Sequence, residues 1–185
     1  MVCSAGEPHN VLVAPRFPLC HFIPIVPMEQ NKRCCLSQVY HRMKIAYNKN
    51  TMTSLADFSV RTSRQNEWLN ITAEVERALA ASGVKEGICV VFIPHTTAAV
   101  TINENADPDV PHDVSLALSH ISPDRREFRH SEGNSAAHTK SSLVGPSVTI
   151  VVSGGRLLLG TWQGVWFNEY DGPRTRKVYV RVLGE

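Results

Sequence analysis

From Leu55 onward the order of apolar and polar positions is regular enough to predict elements. Phe58 and Val60 alternate with Asp57, Ser59 and Arg61, the period of two that marks a half-buried strand. Ile71, Val75, Ala78 and Leu79 then fall at helical spacing. Asn70 or Thr72 supplies a cap, Glu74 and Glu76 suit the helix's positive end, and Gly83 stands where a left-handed terminal residue belongs. The apolar run 88–94 predicts a buried strand continuing through Val100 and Ile102. Asp107-Pro108 opens a second helix with a capping aspartate and a proline at the first helical position. Val110, Val114, Ala117, Leu118 and Ile121 form its expected buried stripe, and Pro123 ends it. A polar loop over 122–133 leads to a short third helix, capped by Asn134 or Ser135, carrying His138, Lys140 and Leu143 and closed by Gly145. Strands at 147–152 and 156–160 flank a Ser153-Gly-Gly155 turn, and strands at 162–170 and 176–183 form a second pair about 171–174. The fold class is α+β: an antiparallel β-sandwich-like core with flanking helices.

Residues 1–51 carry no such period. Pro8, Pro15, Pro18, Pro24 and Pro27 interrupt every apolar run before it can become an element. The patch 19–28 is too short and too proline-cut for a secretory core, and no small-residue cleavage site follows it. The segment reads as a disordered or spurious leader, with a transit peptide as the alternative, and Met52 as a plausible start of the domain 52–185.

Composition sharpens this division. The net charge of +2 hides six Lys/Arg against two Asp/Glu in residues 1–51 and thirteen against fifteen in the remainder. The domain is therefore mildly acidic, which argues against a general nucleic-acid surface. Cys3, Cys20, Cys34 and Cys35 lie in the leader, and Cys89 sits within the apolar run as a small core residue. Without a disulfide framework or paired CxxC, a reducing, cytoplasmic setting is expected. No run of eighteen apolar residues is present to span a membrane.

The candidate chemistry gathers behind that apolar run, in HTTAAVTINENADPDVPHD. His95 stands at the run's end, followed by small residues and then by Asn103, Glu104, Asn105, Asp107, Asp109 and Asp113. Asp109 and Asp113 share one face of a helix's first turn. The plainer alternative is an edge strand followed by a capped helix. GxGxxG, GxxxxGK[ST], GxSxG and HExxH are all absent, which removes the dinucleotide, P-loop, hydrolase-elbow and zincin readings. His95, His130 and His138 each lie at the edge of an element among small polar residues. Three imidazoles with an open position suit a divalent metal such as zinc, although each taken singly also reads as a hydrogen-bonded structural histidine. His112 and His120 read as surface residues, and His9, His21 and His41 belong to the leader.

The strings HTTAAVTINENADPDVPHD, RHSEGNSAAHTKSSLVG and LLLGTWQGVWFNEYDGPRTRKVYV resemble the YjbQ-like family, also called the secondary thiamine-phosphate synthase family, over about residues 53–185. The resemblance implies a β-rich α+β subunit assembled as a homotrimer, with a histidine and acid cluster holding a divalent metal. It makes His95, His130 and His138 the metal ligands and Glu104, Asn105, Asp107 and Asp113 the acid and amide positions. Trp162, Gln163, Arg174 and Arg176 fall in the remaining motif. The implied activity joins a hydroxymethylpyrimidine diphosphate to a thiazole phosphate and expels pyrophosphate. On that chemistry Asp113 or Glu104 is the expected general base, and Asn105, Lys140, Gln163, Arg174 and Arg176 bind an anionic substrate. Magnesium would accompany a diphosphate. The alternative for Arg174 and Arg176 is a turn that keeps a sheet edge soluble. The alternative for the whole protein is a non-catalytic metal- or small-molecule-binding trimer. Aromatics on both faces of the strand at 162–170 suggest that one face meets a neighbouring subunit.

Overall fold

The alternation of strand residues builds two antiparallel sheets with a shared interior. The structure, a computed structural model, describes residues 51–185. The leader, with its cysteines and His9, His21 and His41, therefore lies outside the described residues save for Thr51. In chain order the elements are β1 (Met52–Arg61), β2 (Glu67–Asn70), α1 (Thr72–Ser82), β3 (Gly87–Phe92), β4 (Ala98–Glu104) and α2 (Asp109–Ile121). They continue with α3 (Ser135–Val144), β5 (Ser147–Ser153), β6 (Arg156–Leu157), β7 (Gln163–Glu169) and β8 (Thr175–Gly184). A five-stranded sheet runs β1-β8-β3-β5-β6, and a three-stranded sheet runs β2-β7-β4. The fold is α+β, as expected.

Period-two patterning decides which faces meet. On the five-stranded sheet Val60, Cys89, Val91, Ile150, Val152, Val178, Val180 and Val182 point inward and are buried, joined there by Val100, Val165 and Phe167 of the smaller sheet. Val75, Ala78 and Leu79 bring α1 into the same core. The opposite face of the three-stranded sheet meets α2 and α3 through a second cluster of Ala99, Leu118, Ala137 and Tyr170. Burial of Cys89 drives its thiol up to about 11, which suits a core residue rather than a reactive one.

Local signals hold at the helix ends. Asn70 Oδ1 accepts from both Thr72 N (3.0 Å) and Thr72 Oγ1 (2.6 Å) at the start of α1. Gly83 closes that helix at φ 73°, a conformation cheap only for a residue without Cβ. Asp107 Oδ1 accepts from Asp109 N at 2.9 Å and so caps α2. No side chain caps α3.

Three expectations require correction. The run from 88 does not continue into Ile102: β3 ends at Phe92, and the chain crosses over residues 93–97 into the other sheet before β4 begins. The strands at 162–170 and 176–183 do not pair either. β7 bonds β2 and β4, while β8 bonds β1 and β3, so residues 170–174 form a second crossing between sheets. The stripe expected on α2 is buried fully only at Leu118. Its cluster is small, and Ala117 and Ile121 remain exposed. On the aromatic strand Phe167 fills the main core and Trp68 packs against Trp166 (6.1 Å between ring centres) on the helix-covered side, while Trp162, just before β7, is 63% exposed. Four further exposed apolar side chains, Leu55, Ile88, Phe92 and Val151, share the outer face of the five-stranded sheet.

Candidate functional site

Both crossings between the sheets lie at one end of the sandwich, and the charged interior sits there. Arg176, at the start of β8, donates from Nε to Glu169 Oε2 (2.7 Å) and from Nη2 to Glu169 Oε1 (2.6 Å). The two side chains are 8% and 0% exposed. Thr97 Oγ1 accepts a further bond from Arg176 Nη2 at 2.9 Å. Thr62 Oγ1 and the amides of Tyr170 and Asp171 donate to the Glu169 carboxylate. A bidentate pair with its remaining valences filled is the arrangement that tolerates burial of two charges. Arg176 therefore ties β7, β8 and the 93–97 crossing together.

That tie orients His95. The amide of Lys177 donates to His95 Nε2 at 2.8 Å, so the neutral ring carries its proton on Nδ1. Partial burial, reinforced by the Arg176 guanidinium against the opposing Glu169 carboxylate, lowers the His95 pKa. His95 and His138 line one open cavity of about 590 Å³ with Phe92, Pro94, Ser142 and Pro146. His138 and His130 line the adjoining cavity of about 510 Å³ with Phe128 and Thr139. His138 is thus common to both. The His130 and His138 rings meet edge to face with centres 5.2 Å apart.

The remaining sequence-derived residues are dispersed. Lys140, on the opposite side of α3 from His138, faces a third cavity beside Tyr170. Arg174 is engaged locally, with Nη2 on Asp171 Oδ2 (2.7 Å) and Nε on the Asp171 carbonyl (2.8 Å). Burial tends to raise the Asp171 pKa, but the Asn134 amide and Arg174 outweigh it and hold it below the usual value. Asp113 is exposed and lies 3.0 Å from His112 Nδ1. The carbonyl of Glu104 accepts from Trp166 Nε1 at 3.1 Å. Asn105 N donates to the Trp162 carbonyl, and Gln163 Oε1 accepts from Gly160 N, both at 2.8 Å. None of Asp113, Glu104, Asn105, Gln163 or Arg174 lines a histidine cavity. Sequence reasoning missed Glu169, Thr97, Tyr170, Asn66 and Ser119. The one available signal was a polar Asn168-Glu169 pair closing an otherwise apolar strand.

The metal implied by the resemblance fits two of its three ligands. Two imidazoles bound at about 2 Å to one tetrahedral ion bring their ring centres roughly 5 Å apart, the spacing of His130 and His138. His95 has Nε2 committed to Lys177, and among the described residues no group of three or more His, Cys, Asp or Glu is arranged to hold a metal ion.

Fold and cavities together define a small α+β domain with a histidine-lined site at the junction of two sheets. The chain belongs to the YjbQ-like UPF0047 family, whose model matches residues 56–185. It is 51% identical over 131 residues to a UPF0047 protein of Methanocaldococcus jannaschii, covering 71% of this chain and 95% of that one. It is 48% identical to the UPF0047 protein YugU of Bacillus subtilis over 131 residues, which are 70% of this chain and 99% of YugU. Among solved structures, a YjbQ/UPF0047 family protein from Clostridium acetobutylicum superimposes with a TM-score of 0.67 at 50% identity, covering 69% and 98% of the two chains. A YbjQ-like protein of unknown function from Sulfolobus solfataricus gives 0.71 at 34% identity, covering 73% and 99%. Among the described residues no helix is long and apolar enough to cross a membrane.

Proposed function

We propose that the chain is an enzyme acting on a phosphorylated small molecule at the histidine cavities, by a reaction of the thiamine-phosphate synthase type. In that reaction a pyrimidine diphosphate and a thiazole phosphate give thiamine phosphate and pyrophosphate. The observation that carries this reading is the pair of adjoining cavities sharing His138, with His95 held neutral and in one tautomer by Lys177 N. A neutral imidazole with its proton on Nδ1 has that N–H available to donate a hydrogen bond to a phosphate oxygen. His130 and His138 would hold the divalent ion, zinc being the ion that imidazoles suit best. When bound, such an ion polarises phosphate oxygens and offsets the charge of the leaving group.

Asp113 and Glu104 lie outside both cavities of their own chain, so their role as general base joins this reading to the homotrimer. The outer face of the five-stranded sheet, with Leu55, Ile88, Phe92 and Val151 exposed, offers apolar surface for neighbouring copies. Phe92 also lines the His95 cavity, which would bring a neighbour's residues close to it. Light scattering on the purified protein is expected to report three copies, and a monomer at micromolar concentration contradicts it. The reducing, cytoplasmic setting forms part of the same proposal.

A second reading, a non-catalytic binding trimer, is favoured by one observation: no lysine or arginine lines either histidine cavity. Turnover separates the two. Wild type given both substrates is expected to release pyrophosphate, to stop with chelator and to slow at least tenfold in His138→Ala, about 1.4 kcal/mol of barrier. Release that ignores chelator and the substitution removes the enzymatic reading, while retention of ligand without release supports the binder.

A further inference from the structure

Helix α3 has a second functional face. Lys140 follows His138 by two positions and so points about 200° round the helix from it. It looks into a separate cavity of about 210 Å³ between α2, α3 and the end of β7, room for about seven waters at ~30 Å³ each. Polar groups dominate its wall: Asn66, Ser119, Asn134, Lys140 and Tyr170, with Asp124 exposed at its mouth.

Lys140 is only 7% exposed. Its Nζ donates to Ser119 Oγ at 3.2 Å and to Asn66 Oδ1 at 3.4 Å, and among the described residues no carboxylate forms an ion pair with it. An ammonium carries three donors, and two of them are accounted for by Ser119 and Asn66. Tyr170, 3% exposed, lines the same space with a hydroxyl that has no hydrogen-bond partner, and Asn134 Oδ1 lacks one too. Behind Tyr170, on the same face of the sheet, the Asn168 amide and Trp68 Nε1 are likewise unpartnered. Buried polar atoms are nearly always paired, and a lysine, a phenol and a carboxamide around one enclosed space share a complementary ligand chemistry.

We propose that this cavity binds a compact acid, whose phosphate or carboxylate oxygens are received by Lys140 Nζ and the Tyr170 hydroxyl while a hydroxyl or amine on the same molecule donates to Asn134 Oδ1. The site is distinct from the histidine cavities and stands whether or not those are catalytic, because its readout is binding alone.

The test uses the full chain, with inorganic phosphate and glycolate as separate probes, read by calorimetry and by melting temperature. Wild type is expected to bind at least one probe, and which one distinguishes a phosphate from a carboxylate ligand. In a His138→Ala background, which removes the metal-held phosphate contact of the histidine cavities, binding persists and weakens at least tenfold on adding Lys140→Met or Tyr170→Phe. Tyr170→Phe removes one oxygen that no protein atom pairs, so the probe-free variant melts no lower than wild type. The proposal is overturned if neither probe binds, if binding is lost in His138→Ala alone, if in that background it survives Tyr170→Phe, or if Tyr170→Phe lowers the melting temperature without probe.

Discussion

The two sides of α3 differ in how their polar groups are held. On the His138 side the cavities are wide and partly apolar, walled by Phe92, Pro94 and Pro146, and His95 has a fixed hydrogen-bond partner. On the Lys140 side the space is smaller and polar, and the Tyr170 hydroxyl and Asn134 Oδ1 at its wall have no partner. A satisfied imidazole beside an open cavity suits a group that orients and donates. An unsatisfied phenol beside an enclosed one suits a site completed by what it binds. Two residues on one helix, two positions apart, thus belong to different chemistry because a helix turns 100° per residue.

The largest effect is expected where the two regions share a support. The Glu169–Arg176 pair reaches the His95 side through Thr97 and the Lys140 side through the Tyr170 amide. Arg176→Met leaves the Glu169 carboxylate buried and unpaired and should cost about 3–5 kcal/mol in denaturant unfolding. Adding Glu169→Leu should restore much of it, since the second substitution removes the orphaned charge. A double variant as unstable as the single one contradicts this account of the pair.

Much of the fold was legible in the sequence. The capped helix ending at Gly83, the Gly154-Gly155 turn and the alternation of Val178, Val180 and Val182 all stand where period and turn chemistry put them. What periodicity does not encode is which sheet a strand joins. The apolar stretches 88–93 and 98–102 are separated only by Pro94 and a short polar run, yet they lie in different sheets. The strand ending at Glu169 and the one starting at Thr175 look like a hairpin until their partners are known. The histidines were legible as candidates. The setting of Arg176 was not, because its burial depends on pairing with Glu169 in a strand of the other sheet.

Two smaller effects sharpen the contrast between the cavities. Tyr170→Phe relieves an unpaired hydroxyl on the Lys140 side and is expected to stabilise the probe-free protein by about 1 kcal/mol in denaturant unfolding. On the histidine side the effect is one of pH. The folded pKa of His95 lies below its unfolded value near 6.5, so between the two the unfolded chain binds more protons. The stability this contributes is present above about pH 6.5 and is lost as pH falls through the folded value. His95→Gln should flatten that part of the stability profile while leaving Lys140→Met with the wild-type slope. An unchanged slope in His95→Gln contradicts a depressed His95.

The most direct measurement is elemental analysis of protein purified without added metal, for wild type, His130→Ala, His138→Ala and Lys140→Met. The account predicts bound zinc in wild type and in Lys140→Met and a sharp loss in either histidine variant, since removing one protein ligand removes a large share of the binding energy. Zinc retained in both histidine variants, or lost equally in Lys140→Met, contradicts the assignment of metal chemistry to the His138 side of α3.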